Sequence, residues 1–70
     1  MMKIEHTITI KISDWANWYA IDKDGLLNEF ELKPKQHEYS NYWSSGGRSR
    51  LAGIVSPPSD WTQELYEIIR

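Results

Sequence analysis

The sequence predicts an α+β fold: a small antiparallel four-stranded sheet with one C-terminal helix packed on it. Three observations carry that expectation. Apolar and polar residues alternate from Ile4 to Ile12, the period of a strand with one buried face. Two aromatic, strand-prone runs, Trp15 to Asp22 and Leu26 to Lys33, flank the turn sequence Asp22-Lys23-Asp24-Gly25, a short-range signal for a hairpin. After Pro57-Pro58, Asp60 and Gln63 stand at capping-box spacing, and Trp61, Leu65, Ile68 and Ile69 recur at helical spacing.

In the first strand Ile4, His6, Ile8, Ile10 and Ile12 share one parity. His6 falls on the apolar side and reads as a packing residue rather than a ligand or base. Ser13-Asp14 breaks the run. Trp15, Tyr19 and Ile21 then point one way and Ala16, Trp18 and Ala20 the other, as in a strand covered on both sides or one that offers rings to a partner. A short amphipathic helix over residues 14–20, capped by Asp14, is the competing reading. Gly25 closes a type I turn at positive φ, a conformation it takes without strain. On the return strand Leu26, Asn28, Phe30 and Leu32 share one face, and Leu27, Glu29, Glu31 and Lys33 the other. Pro34 ends pairing or sits on an edge. Lys35 to Tyr42 shows no clean periodicity, and Ser44-Ser45-Gly46-Gly47 marks a second turn. Arg48 to Val55 alternates as the fourth strand and is expected to form a second hairpin with Trp43. The C-terminal helix, of about ten residues, is too short to stand alone and needs its Trp-Leu-Ile stripe docked on the sheet.

Seventy residues make one domain, residues 1–70, with a small core, because a chain of this length buries only roughly 60% of its unfolded surface. Cysteine is absent, which excludes disulfides and thiolate metal sites and fits a reducing compartment. Stability must then come from aromatic packing or self-association. Four Trp, four Tyr and one Phe exceed what such a sheet and one helix can hide, so some rings are expected to meet another molecule, a second copy included. The N-terminus has no uninterrupted apolar h-region, and no stretch approaches the roughly 20 apolar residues of a membrane span. The net charge of −2 is uneven. Between Lys33 and Arg50 four cations meet only Glu38, while the remainder sets four cations against nine acids. A basic middle on an acidic body reads first as a solvated loop that happens to be basic, with a recognition patch as the alternative.

Chemical motifs are weak. Asp22, Asp24, Gly25 and Glu31 match four spacings of a calcium loop, but Ala20 stands at its first ligand position and no helices flank it. Turn chemistry accounts for the segment, and neither a metal nor a cofactor is expected. Glu29 and Glu31 share the polar parity of their strand and read as solvated rather than as an acid–base pair. The Ser44–Arg48 segment lacks the lysine–hydroxyl pair and following helix of a phosphate loop. Its neighbours are more informative. Tyr39, Tyr42, Trp43, Arg48 and Arg50 interleave rings with cations, as a protein hot spot does and as a single-strand nucleic-acid platform does. Overall acidity weighs against nucleic acid or a nucleotide. An acidic face of Asp14, Asp22, Asp24, Glu29 and Glu31 could instead mimic nucleic acid.

Trp15-Ala16, Ala20, Asp22, Asp24-Gly25, Phe30-Glu31, Pro34, Trp43, Asp60-Trp61 and Leu65 together resemble small proteins encoded by tailed bacteriophages. In these a Trp-Ala segment runs into Ala-x-Asp-x-Asp-Gly, an aromatic return strand ends in Lys-Pro, and Asp-Trp-x-x-Ser-Leu closes the chain. The chain departs from the pattern at Glu64, where Ser is favoured. The resemblance carries no activity. It implies the company of short non-structural phage proteins, many of which bind and block one host factor. The expectation is a non-enzymatic inhibitor of a host protein, plausibly of a defence system, acting in the host cytoplasm through the aromatic–basic surface.

Overall fold

The computed structural model describes residues 12–36 and 39–70. The strand expected over Ile4 to Ile12, with His6, lies outside the described residues apart from Ile12. The described residues form six strands: β1 (Trp18–Ile21), β2 (Leu26–Phe30), β3 (Lys35–Gln36), β4 (Trp43–Ser44), β5 (Ser49–Ile54) and β6 (Leu65–Glu67). A four-stranded sheet has the order β5-β2-β1-β6, and β3 and β4 form a separate two-stranded sheet. All pairings are antiparallel.

The β1–β2 hairpin forms where its turn sequence places it. Gly25 N–H donates to the Asp22 carbonyl at 2.9 Å, and Asp22 N–H donates to the Leu26 carbonyl at 2.9 Å. Gly25 has φ +90°, and a Cβ there would lie 2.1 Å from the Val55 carbonyl oxygen. Glycine is therefore required both by the turn and by the close approach of the chain that follows β5. Pairing Trp18 with Phe30 and Ile21 with Leu27 sends alternate residues to opposite faces. Tyr19, Ile21 and Leu27 bury on one face with Ala52, Val55, Tyr66 and Ile68. Ala20, Phe30 and Trp43 bury on the other with Trp18, Trp61 and Leu65. Each fully buried Ile or Leu contributes about 1.5–3 kcal/mol, so the two faces divide a small core between them.

The predicted C-terminal helix does not form, so the described residues show not the expected α+β arrangement but antiparallel strands with one 3₁₀ turn. A single 3₁₀ turn spans Trp61–Gln63, and the chain then straightens into β6. The cap signal is real but local: Asp60 accepts the Thr62 N–H at 3.2 Å, and the turn closes when Glu64 N–H donates to the Trp61 carbonyl. Beyond it the outer edge of β1 decides. Trp18, Tyr19 and Ala20 pair with Glu67, Tyr66 and Leu65, and bonds from Ile21 N–H to Glu64 and from Ile68 N–H to Asn17 bracket the ladder. An open sheet edge offers these bonds cooperatively, whereas a helix of about ten residues is marginal by itself. Tyr66, a strand-prone ring, stacks on Tyr19 with centroids 4.8 Å apart.

A second expectation is also corrected. Trp43 does not form a hairpin with the fourth strand. It pairs with Gln36, and Ser44 with Lys35, while β5 runs along β2. A register shift between Leu27 and Asn28 bulges β5 at Ala52.

Candidate functional site

The loop that carries Tyr39 and Tyr42 is mounted on the β1–β2 turn. Asp22, buried at the end of β1, accepts the backbone N–H of Trp43 at 2.9 Å and the side-chain amide of Asn28 at 3.4 Å. Lys23 N–H donates to the Asn41 carbonyl at 3.3 Å. The Trp43 indole N–H donates to the Ile21 carbonyl at 3.2 Å, and its ring meets Trp61 edge-on at 6.0 Å. Burial pushes the Asp22 carboxyl above its ordinary 3.8; the bond from Trp43 opposes this and neighbouring Asp24 adds to it. From this mount Tyr39 projects with its ring 97% exposed, at φ 68°. Tyr42 is 53% exposed. The left-handed region that Tyr39 occupies is uncommon for a bulky residue.

The two arginines of the basic middle lie elsewhere and are paired. Arg50 on β5 faces Glu29 on β2, and its Nε donates to Glu29 Oε1 at 2.6 Å. Glu29 is fully buried and also accepts the N–H of Ser13 at 2.8 Å and its hydroxyl at 2.6 Å. Burial alone would raise the Glu29 carboxyl, but the Ser13 and Arg50 donors outweigh it and hold the group below 4.5. Ser13 is itself fixed from behind, because Arg70 donates to its carbonyl at 2.8 Å. Arg48 donates to Glu31 at 3.1 Å and lies over the Trp15 ring at 4.9 Å, an arrangement that lowers the Glu31 carboxyl.

No protein-family model, curated protein or solved structure matches the chain.

The geometry divides the residues singled out in the sequence. Tyr39 and Tyr42 share one exposed loop. Trp43 is a core residue, 8% exposed, and not part of a contact surface: its indole fills the space between β1 and the 3₁₀ turn. Arg48 and Arg50 neutralise Glu31 and Glu29, so the basic patch and the acidic face cancel across β2 and β5. Glu29 is the reverse of the solvated carboxylate expected: it lies on the buried face, opposite Tyr19, and its oxygens are met by Ser13 and Arg50. Asp22 is buried as well, which leaves Asp14 and Asp24 as the exposed members of the acidic set. That set is not a continuous mimic of nucleic acid. Among the described residues no cluster of His, Asp and Glu could hold a metal ion, and no helix is long and apolar enough to cross a membrane.

One feature escaped the sequence reading. Leu32, Lys33, Lys35, Ser44, Ser45 and Gly46 line an open groove of about 440 Å³. Its signal was the pair of lysines flanking Pro34, which becomes meaningful only when β3 pairs with β4.

Proposed function

We propose that the chain is a small, non-enzymatic phage-encoded protein that inhibits a host protein, a component of a bacterial defence system, by covering part of its surface in the host cytoplasm. The observation that carries this reading is Tyr39, fully presented to solvent at positive φ. Such a ring contributes no packing to its own chain and retains a backbone conformation costing about 1–2 kcal/mol. Tyrosine offers a large contact area at low entropic cost, and burial against a partner recovers the hydration free energy that the exposed ring forgoes. Tyr42 enlarges the same surface, and the bonds from Asp22 and Lys23 keep the loop preorganised. Steric occlusion needs no reacting group.

The pairing of Arg48 and Arg50 with carboxylates favours a protein partner over a single-stranded nucleic acid stacked on the Tyr/Trp/Arg surface, where those two guanidinium groups would have to meet the phosphates. The test is affinity capture from a susceptible bacterial host with the whole chain and with the double variant Tyr39→Ala/Tyr42→Ala. The expected result is one stoichiometric host protein, retained by the parent and lost by the variant. Equal capture by both, or tight binding of an oligothymidylate with a steep salt dependence, overturns the reading. Sedimentation of the parent separates a host partner from a second copy of the chain.

A further inference from the structure

We infer that the groove between the end of β2 and the β4–β5 loop receives a carboxylate side chain, carried on an otherwise apolar segment of the protein partner. The inference rests on the binding function proposed above and specifies a second contact for it. Pro34 is buried, and Lys33 and Lys35, its neighbours in the chain, both line the groove. The Lys33 ammonium lies over the Trp18 ring, 5.3 Å from its centroid, which positions the charge. Lys35 faces Ser44 across the β3–β4 pair. Gly47 seats the apolar wall: a Cβ there would lie 2.8 Å from Leu32 Cγ, so only glycine allows the loop to close this tightly.

Two independent features point to an anion. Among the described residues the ion pairs are Arg48–Glu31 and Arg50–Glu29, and neither lysine of the groove takes part in one. Among the described residues the hydroxyl of Ser45, a residue of the groove wall, is buried with no hydrogen-bond partner, a state that an acceptor oxygen relieves. The walls favour a carboxylate over a phosphodiester chain. Leu32 and the lysine methylenes provide apolar contact, and no guanidinium among the lining residues offers a fork for bidentate phosphate binding. A single charge on an apolar segment meets both the cations and the walls.

The experiment is a heteronuclear NMR titration of the whole chain with acetyl-Leu-Glu-Leu-amide, its Gln counterpart, inorganic phosphate and an oligothymidylate. The expected result is saturable movement of the Ser45 and Gly46 amide signals with the Glu peptide, about tenfold weaker binding of the Gln peptide, and loss of the response in Lys33→Gln/Lys35→Gln. Both lysines are exposed, so the double variant keeps the parent spectrum elsewhere. Equal binding of the Glu and Gln peptides, an unchanged response in the double variant, or stronger movement with phosphate or the oligothymidylate overturns the inference. Capture of the host protein by Lys33→Gln/Lys35→Gln at parental strength refutes the groove contact while leaving the Tyr39–Tyr42 contact standing.

Discussion

Arg50 and Glu29 face each other across β5 and β2 with 2.6 Å between Nε and Oε1, the carboxylate fully buried and the guanidinium half in solvent. Breaking a buried pair by removing one member leaves an uncompensated charge. Here water reaches Arg50, and Ser13 supplies two further donors, so Arg50→Ala is expected to cost only about 1–2 kcal/mol. Glu29→Ala removes the acceptor for Ser13 and Arg50 together and is expected to cost about 3 kcal/mol. The pair also sets an acid limit. Glu29 loses its proton more readily folded than unfolded, so its contribution is present above 4.5 and is lost as pH falls through the lower folded value. Urea midpoints at neutral and acid pH measure both effects, and midpoints unmoved by either substitution would remove the network from the account of stability.

Asp22 has the opposite sign. Its burial raises the carboxyl, so the folded chain holds this proton to higher pH than the unfolded chain does. Stability therefore falls as pH rises from 3.8 through the folded value. Asp22→Asn keeps an acceptor for the Trp43 N–H without a buried charge and is expected to be neutral or stabilising by about 1 kcal/mol at neutral pH. Asp22→Ala leaves that N–H unsatisfied and is expected to cost about 1–3 kcal/mol. If both variants melt alike, the carboxylate oxygen is not what anchors the loop.

These two acids show where sequence reading succeeds and fails. The hairpin was legible because Asp22-Lys23-Asp24-Gly25 specifies its own turn within four residues. Both faces of β1 were legible from the alternation of Tyr19 and Ile21 with Ala20. The environment of Glu29 was not, because Arg50 and Ser13 lie 21 and 16 positions away and parity cannot show what packs over a face. β6 was misread for a related reason. Leu65, Ile68 and Ile69 satisfy helical spacing, and the deciding edge of β1 lies more than forty positions earlier in the chain. Trp43 looked like surface because its partner, the Ile21 carbonyl, is 22 positions away. Of the predicted rings, Tyr39 and Tyr42 are exposed and Trp43 is not.

Gly25 and Gly46 separate backbone necessity from mere flexibility. Gly25→Ala forces a side chain onto the Val55 carbonyl at positive φ and is expected to cost more than about 2 kcal/mol. At Gly46 a Cβ meets nothing within 4 Å, and Gly46→Ala is expected to stay within about 0.5 kcal/mol of the parent. Thermal midpoints of the two variants test this directly; comparable losses would mean that the turn tolerates a side chain.

Tyr19 carries a hydroxyl that is buried without a partner among the described residues. Burial, with a smaller contribution from Glu64, pushes its ionisation up to about 12. Tyr19→Phe keeps the stack on Tyr66 and removes the stranded polar group, so it is expected to stabilise by about 1 kcal/mol. Above pH 10 the unfolded tyrosine ionises before the folded one, and the parent loses stability that the Phe variant keeps. A lower urea midpoint for Tyr19→Phe at neutral pH would show that the hydroxyl is satisfied.

Tyr39 sets stability against binding. Its ring touches almost nothing and its backbone sits at φ 68°, a region that asparagine occupies more readily than an aromatic residue. Tyr39→Asn relieves that cost without the extra unfolded-state freedom that glycine would bring, and is expected to raise stability by about 0.5–1 kcal/mol. If the ring is the anchor of the partner surface, the same change weakens host-protein capture by at least about 2 kcal/mol, the scale of a tyrosine hot spot. A gain in thermal midpoint together with loss of capture identifies strain kept for binding. Retention of capture, or a loss of stability, shows instead that the conformation serves the chain's own packing.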